Sequence, residues 1–270
     1  MNAGVLIDCL LFSAARGLRA AACIAVGALL AFDASAGVPS SPPASGRPVE
    51  VHQRLVLGAG EDAVALTLDA CGGGYDAELV DTLIDLRVPA TIFVTRKWID
   101  RHPQAMARLK AHPDLFAIEN HGARHVPAVI GAQRRVYGLE GEPDVAALRA
   151  EVAGGAHAIA AAGVPEPGWY RGATALYDRA ALDAIAAMGY RIAGFSVNAD
   201  AGATLPRREI VARLGRVGPG DIIIAHMNKP ASESAEALGE ALPSLLRQGI
   251  QFVTLRGRAV KTHASTDTHS

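Results

Sequence analysis

The chain has 270 residues, half of them hydrophobic and one-fifth charged, with a formal net charge of −1. That composition suits a globular protein with one large α/β-type core. The balanced charge argues against nucleic acid or an anionic membrane surface as a main partner, because both select a basic face.

Residues 1–36 read as a leader. Arg16 and Arg19 precede an apolar run from Ala20 to Phe32, followed by Ala34-Ser35-Ala36. Basic region, apolar core and A-x-A site in that order describe a secretory signal peptide. The run is shorter than the roughly 20 residues a spanning helix needs. Cleavage after Ala36, no stable membrane insertion and a periplasmic or secreted location are therefore expected. The segment before Arg16 is long for such a leader. Cys23 follows Ala21-Ala22 in the manner of a lipoprotein site, but the apolar run lies after it, so lipidation is not expected. Cys9 and Cys23 belong to the leader, which leaves Cys71 alone in the mature chain and allows no intramolecular disulfide. Residues 37–60, with Pro39, Pro42, Pro43 and Pro48, read as a tether. The domain is expected over 61–257 and a polar tail over 258–270.

Within the domain, apolar strand-like runs alternate with helical patterns. Ala63 to Leu68 is a strand by composition, ending at Asp69. Asp76 to Arg87 carries apolar residues at helical spacing until Pro89 stops it, and Ala90 to Val94 is the next strand. Pro103 to Ala111 is helix and Leu115 to Glu119 strand. Val126 to Pro143 has no periodicity and is either a substrate-facing loop or a connector. Asp144 to Ala162 is a long Ala-rich helix, and Trp169-Tyr170-Arg171 a short strand. Asp178 to Met188 is helix, Arg191 to Asn198 strand, Pro206 to Leu214 helix and Asp221 to His226 strand. Ser232 to Arg247 is helix, and Gln251 to Leu255 closes the series.

Seven strands alternating with helices imply parallel pairing with the helices outside. An open doubly wound sheet and a distorted β/α barrel both satisfy this. In either, ligands bind at the carboxyl ends of strands. Those ends are polar here: Asp69, Thr95-Arg96, Glu119-Asn120-His121, Arg171, Asn198 to Asp200, and His226. His121 and His125 stand four residues apart, the spacing that puts two imidazoles on one face of a helical turn and lets them meet one cation. Asp69 before Ala70-Cys71-Gly72-Gly73-Gly74 suits a general base or metal ligand. The glycines lack the Gly-Lys-Ser/Thr of a phosphate-binding loop, and Gly194-Phe195-Ser196-Val197-Asn198 misses the last glycine of a serine-hydrolase elbow. Cys71, a lone cysteine, reads as buried and inert.

Thr67-Leu68-Asp69, Val88 to Val94, Ile118 to His125, Trp169-Tyr170-Arg171, Val197 to Asp200 and Asp221 to His226 together resemble the polysaccharide deacetylase family (NodB-homology domain, carbohydrate esterase family 4). The likeness runs in family order from about Ala63 to Leu255. It implies a single-domain, distorted and incomplete β/α barrel of about seven parallel strands that hydrolyses acetamide groups on a glycan and releases acetate. The partner implied is an acetylated sugar, and the cofactor a divalent metal, zinc being the expected ion. His121 and His125 match the family's metal histidines. Asp69 matches the catalytic base, Arg171 the arginine that orients it, and His226 the general acid. Asp200 falls near the acid that tunes this histidine, and Ile224 matches the apolar wall for the acetyl methyl.

The departures bear on the metal. The family's second acid, its usual third ligand, is Ala70 here. Asp69 turning to bind, a Cys71 thiolate or an acid from elsewhere would each complete the site, the remaining alternative is that no metal binds tightly, and Asp69, as ligand or as shared ligand and base, is the expected one. Gly172 replaces a proline and Ala201 a tryptophan. The missing tryptophan and the 5% aromatic content weaken the case for stacking along an extended polysaccharide. A small N-acylated molecule on the same fold and a non-catalytic glycan binder are the rival readings.

Overall fold

The computed structural model describes residues 47–131 and 134–263. The expected leader, residues 37–46 of the expected tether and the end of the expected tail lie outside the described residues.

Two short strands come first, β1 (Val49–Glu50) and β2 (His52–Leu55). The long β3 (Ala63–Ala70), α1 (Ala77–Asp85), β4 (Ala90–Val94), α2 (Arg96–Arg101), α3 (Pro103–Lys110) and β5 (Phe116–Asn120) follow. An excursion contains β6 (Pro127–Ala128) and a small hairpin of β7 (Arg135–Val136) and β8 (Leu139–Glu140). Then come α4 (Val145–Ala161), β9 (Trp169–Tyr170), β10 (Ala173–Tyr177), α5 (Arg179–Ala187), β11 (Arg191–Ile192) and β12 (Val197–Asn198). The described chain ends with α6 (Arg207–Leu214), β13 (Ile222–His226), α7 (Ser234–Arg247), β14 (Gln251–Val253) and β15 (Val260–His263). No helix among the described residues is long and apolar enough to cross a membrane.

The helices begin where the chain offers a cap. Asp76, Asp144 and Asp178 each accept a hydrogen bond from the backbone N–H three residues on, and Thr95 does the same for α2. The strands show why the sheet sits between two apolar layers. In β3, Val64, Leu66, Leu68 and Ala70 pack towards the helices, whereas Ala63 and Ala65 belong to a separate inner cluster. By strand alternation Thr67 and Asp69 share that inner face.

The main sheet runs β11-β9-β5-β4-β3-β13-β12, with β14 paired to the first half of β3, and all its pairings are parallel. Its two ends, β11 and β12, belong to one stretch, 191–198, so the sheet curls into a distorted, incomplete barrel. The single strand expected at Arg191–Asn198 is thus two, with a break between them. The break is filled by the segment Val51 to Gln53. Phe195 N donates to the Val51 carbonyl at 3.2 Å, Gln53 N donates to the Phe195 carbonyl at 3.0 Å, and Gly194 N donates to Gln53 Oε1 at 2.8 Å. The fold therefore reaches into both expected flanks: β1 and β2 lie in the stretch read as tether, and β15, in the stretch read as tail, pairs antiparallel with β2.

Gly194 is required at the break because a Cβ there would stand 2.0 Å from the Val51 carbonyl oxygen. Gly194→Ala is expected to cost about 1–3 kcal/mol, the usual penalty of overpacking against backbone, read as a lower midpoint in chemical denaturation.

Candidate active site

At the carboxyl end of β3 the inward-facing Asp69 is 3% exposed, and the guanidinium of Arg171 beside it is fully buried. Arg171 Nη1 donates to Asp69 Oδ1 and to Thr67 Oγ1, both at 2.8 Å. Its Nε donates to the Ala193 carbonyl at 3.1 Å and Nη2 to the Gly194 carbonyl at 3.4 Å, while the group lies 4.3 Å over the Phe93 ring. Burial alone would raise the Asp69 carboxyl. The positive charges of Arg171, His121 and His226 outweigh it and hold Asp69 below the usual aspartate range.

His121 follows β5. Its Nδ1 lies 2.6 Å from the Arg171 carbonyl, which can only accept, so Nδ1 carries a proton and Nε2 is the nitrogen turned towards Cys71 and Asp69. Nε2 stands 3.4 Å from Cys71 Sγ and 3.7 Å from Asp69 Oδ2. The path to His125 is not a helical turn. Gly122 has φ +85° and His125 φ +66°, so the chain doubles back in a loop that brings the two imidazole centroids within 4.8 Å. The expected meeting of the histidines holds, but the helical reason for it does not.

That loop is held by a residue the sequence does not single out. Glu151, on α4 and 1% exposed, accepts at Oε1 from the backbone N–H groups of Arg124, His125 and Val126 at 2.7, 2.8 and 3.3 Å. Its Oε2 accepts from Arg124 Nε at 3.1 Å. Asn120 adds a bond from Gly122 N to its Oδ1 at 2.8 Å. An acid in the middle of an Ala-rich helix looks like a solvated residue until the loop is placed over it.

The cluster of possible metal donors among the described residues takes in Cys71 with the two histidines and leaves Asp69 out. The ligand atoms of Cys71, His121 and His125 all lie within 4.8 Å of one another. Asp69, expected to ligate, gives Oδ1 to Arg171 and keeps Oδ2 3.7 Å from His121 Nε2. Ala70 packs in the outer core, so its side chain points away from the histidines, and Cys71 at the next position turns towards them. Two structural details hold Cys71 there. The Thr95 hydroxyl donates to the Cys71 carbonyl at 2.5 Å. The glycine turn packs so close to Asn228 that a Cβ on Gly73 would stand 2.4 Å from its carbonyl oxygen. Burial would raise the Cys71 thiol, but the His121 charge and hydrogen bonds from His121, His125 and His226 pull it well below the ordinary thiol value. Cys71, expected to be buried, is half-buried and lines the cleft. Two imidazoles and a thiol are donors of the N/S type that suits zinc, and together they would supply the three protein ligands that a catalytic site uses.

His226, at the end of β13, faces the same space with its side chain 14% exposed. Its Nδ1 lies 2.9 Å from Asp200 Oδ1. Asp200 is fully buried, and its Oδ2 accepts from His226 N at 2.8 Å and from the Ser234 hydroxyl at 2.9 Å. Burial lowers the imidazole, but bonds to Asp200 and Cys71 and the negative charges of Asp200 and Asp69 raise it well above the ordinary histidine value. Asp69, Cys71, His125, Ile224 and His226 line one cleft of about 730 Å³. Not every polar strand end joins it. Glu119 Oε2 accepts from the backbone of Gly168 and Trp169, and the Asn120 side chain donates to α4 at the Val152 carbonyl.

The family model for polysaccharide deacetylase matches residues 58–193, and the chain belongs to the polysaccharide deacetylase family. It is a hydrolase of the class acting on carbon–nitrogen bonds other than peptide bonds. Among solved structures it is similar to a family 4 carbohydrate esterase from Streptomyces lividans in complex with acetate, with 22% identity over 73% of this chain and 96% of that one and a TM-score of 0.60. The peptidoglycan deacetylase PdaC from Bacillus subtilis, in a mutant form, is similar at 21% identity over 74% of this chain and 91% of that one, with a TM-score of 0.59. A family pseudoenzyme from Bacillus anthracis is 18% identical over 78% of this chain and 68% of that one, with a TM-score of 0.61. These likenesses carry the fold, and the pseudoenzyme shows that the fold does not by itself guarantee catalysis. No curated protein sequence is significantly similar to the chain.

Because Glu151 holds the loop that presents His125, Glu151→Ala is expected to weaken zinc affinity about 10–100-fold, the usual effect of removing a group that orients a ligand. Competition with a chromophoric chelator measures it. Glu151→Gln keeps an acceptor oxygen and is expected to fall between wild type and Ala.

Proposed function

We propose that this protein removes N-acetyl groups from an envelope or extracellular glycan, releasing acetate. In this reading Cys71, His121 and His125 hold a divalent ion, zinc by donor chemistry. The observation that carries it is the pairing around the donor set: a carboxylate bonded to the Arg171 guanidinium on one side and an imidazole bonded to the Asp200 carboxylate on the other. Acetamide hydrolysis needs both, because one group must take a proton from water and the other must give one to the leaving amine.

The ion, when bound, polarises the acetyl carbonyl and brings the pKa of water down to about 7. Asp69 Oδ2, the oxygen not engaged by Arg171, accepts the water proton. Arg171 keeps that carboxylate charged and fixes its plane. Ile224 offers an apolar wall to the acetyl methyl. His226 protonates the amine nitrogen as the C–N bond breaks, and Asp200 compensates the imidazolium and holds its ring towards the cleft. A glycan-binding domain without catalysis would have no use for this division of charge.

A second reading is favoured by one observation: Cys71 and His226 line the same cleft, and His226 bonds Asp200. That is the order of a thiol hydrolase. Sγ would attack the acetyl carbonyl, His226 would protonate the departing amine, and water would cleave the thioester to acetate. The N-terminal features support export, and the intact mass of the secreted chain, starting at Gly37, is the check.

Purified protein is expected to carry close to one divalent ion, to lose it in the double variant His121→Ala, His125→Ala, and to stop releasing acetate under chelation until zinc is restored. Release that ignores a chelator and stops with a thiol reagent overturns the metal reading in favour of the thiol one. The pH profile of kcat/KM tests the acid. With His226 raised, the alkaline limb lies above the ordinary histidine value, and Asp200→Asn, which removes the charge that raises it, moves that limb to lower pH. An unmoved limb contradicts the assignment.

A further inference from the structure

The excursion between His125 and α4 carries a feature the chemistry above does not use. Tyr137 and Gly138 form the two-residue turn between β7 and β8, with φ +49° and +80°. Positive φ at both central residues is the pattern of a type I′ turn, whose first place suits Asn, Asp or Gly and strains an aromatic residue. Tyr137 is nevertheless there, and it buries almost nothing. Four large apolar side chains are exposed among the described residues, two of them are on this hairpin, and Tyr137 at 80% is the most exposed. The other, Leu139, is 44% exposed. Both line the same cleft as Asp69, Cys71, His125 and His226.

The hairpin is tied to the catalytic loop. Its base is closed by bonds from Gly141 N to the Arg134 carbonyl at 2.8 Å and from Glu142 N to the Val129 carbonyl at 2.9 Å. Arg135 pairs with Glu140 across it at 2.5 Å. The buried Glu142 accepts from Arg124 Nη2 at 2.9 and 3.1 Å, and Arg124 is the residue before His125. An apolar ring held over the cleft by a braced hairpin, at a cost in backbone strain, serves something outside the chain. Ala201 is also on the cleft lining and offers no ring. Phe195, the other aromatic of the lining, is buried. Tyr137 is therefore the exposed aromatic face of the site. A flat ring with one apolar face and a wet hydroxyl matches the C–H face of a pyranose with its rim of hydroxyls.

We propose that Tyr137 is the stacking platform for the sugar ring adjoining the one whose acetamide enters the Cys71–His121–His125 site, so that the preferred substrate is an oligosaccharide rather than a single sugar. This rests on the glycan reading above. The test uses zinc-loaded protein, chitotetraose and N-acetylglucosamine, with calorimetric affinity and acetate release as readouts. Tyr137→Ala is expected to weaken chitotetraose binding about tenfold or more, the effect of losing one aromatic contact. The loss should fall on KM rather than kcat and should be smaller for N-acetylglucosamine. Tyr137→Gly, which relieves the turn, is expected to bind as weakly as Ala with Tm no lower than wild type, and Tyr137→Trp to bind at least as well as wild type. Wild type and Tyr137→Gly handling chitotetraose equally overturns the platform and leaves the glycan reading standing. Wild type neither binding nor deacetylating chitotetraose, while releasing acetate from a non-sugar N-acetyl amine, overturns both.

Discussion

A guanidinium sealed inside a barrel is the constraint on which the rest of this structure depends. Arg171 is fully buried, and an isolated charge there would cost far more than the fold can spare. It is tolerated because Asp69 neutralises it, Thr67 and two backbone carbonyls accept its protons, and Phe93 receives its face. Those two carbonyls, of Ala193 and Gly194, sit where the ring of strands breaks. One side chain thus closes the gap in the barrel and charges the group at its mouth. The coupling also explains why Gln53 and Val51, far away in sequence, belong to the fold: they satisfy the other side of the same break.

From that pair the chemistry divides. Asp69 and His226 follow strands that pair side by side, with Asp69 and His226 in register. Each would be an ordinary titrating group in water. Arg171 holds the first ionised and Asp200 holds the second protonated, so two neighbouring groups keep opposite proton states over a common range of pH. Between them lie two imidazoles and a thiol whose positions are set by backbone contacts from elsewhere: Glu151 under the His125 loop, the Arg171 carbonyl behind His121, and Thr95 behind Cys71.

Much of this was legible in the sequence because it is periodic or local. The apolar runs marked the strands, Asp76, Asp144 and Asp178 marked helix starts, and the polar residues after each strand marked the mouth. The resemblance supplied the roles. What escaped has physical reasons. Whether position 70 or 71 faces the histidines depends on where β3 stops alternating, which a single chain does not reveal. His121 and His125 have helical spacing, but Gly122 allows a positive φ that bends the path. Glu151 acts across a loop-to-helix contact with no sequence pattern. β1, β2 and β15 are too short and too polar to stand out, and each is defined by a distant partner: β1 by β10, β15 by β2, and β2 by β15 and the barrel's break.

The proposed function therefore turns on a sulfur atom: Cys71 would take the place in the donor set that Ala70 cannot fill. Zinc K-edge X-ray absorption on the zinc-loaded protein tests this most directly. The expected first shell has one Zn–S distance at about 2.3 Å and two Zn–N distances at about 2.0–2.1 Å, with a light atom completing it. A shell of nitrogen and oxygen alone, with no sulfur scatterer, would contradict the assignment and return the third position to a carboxylate.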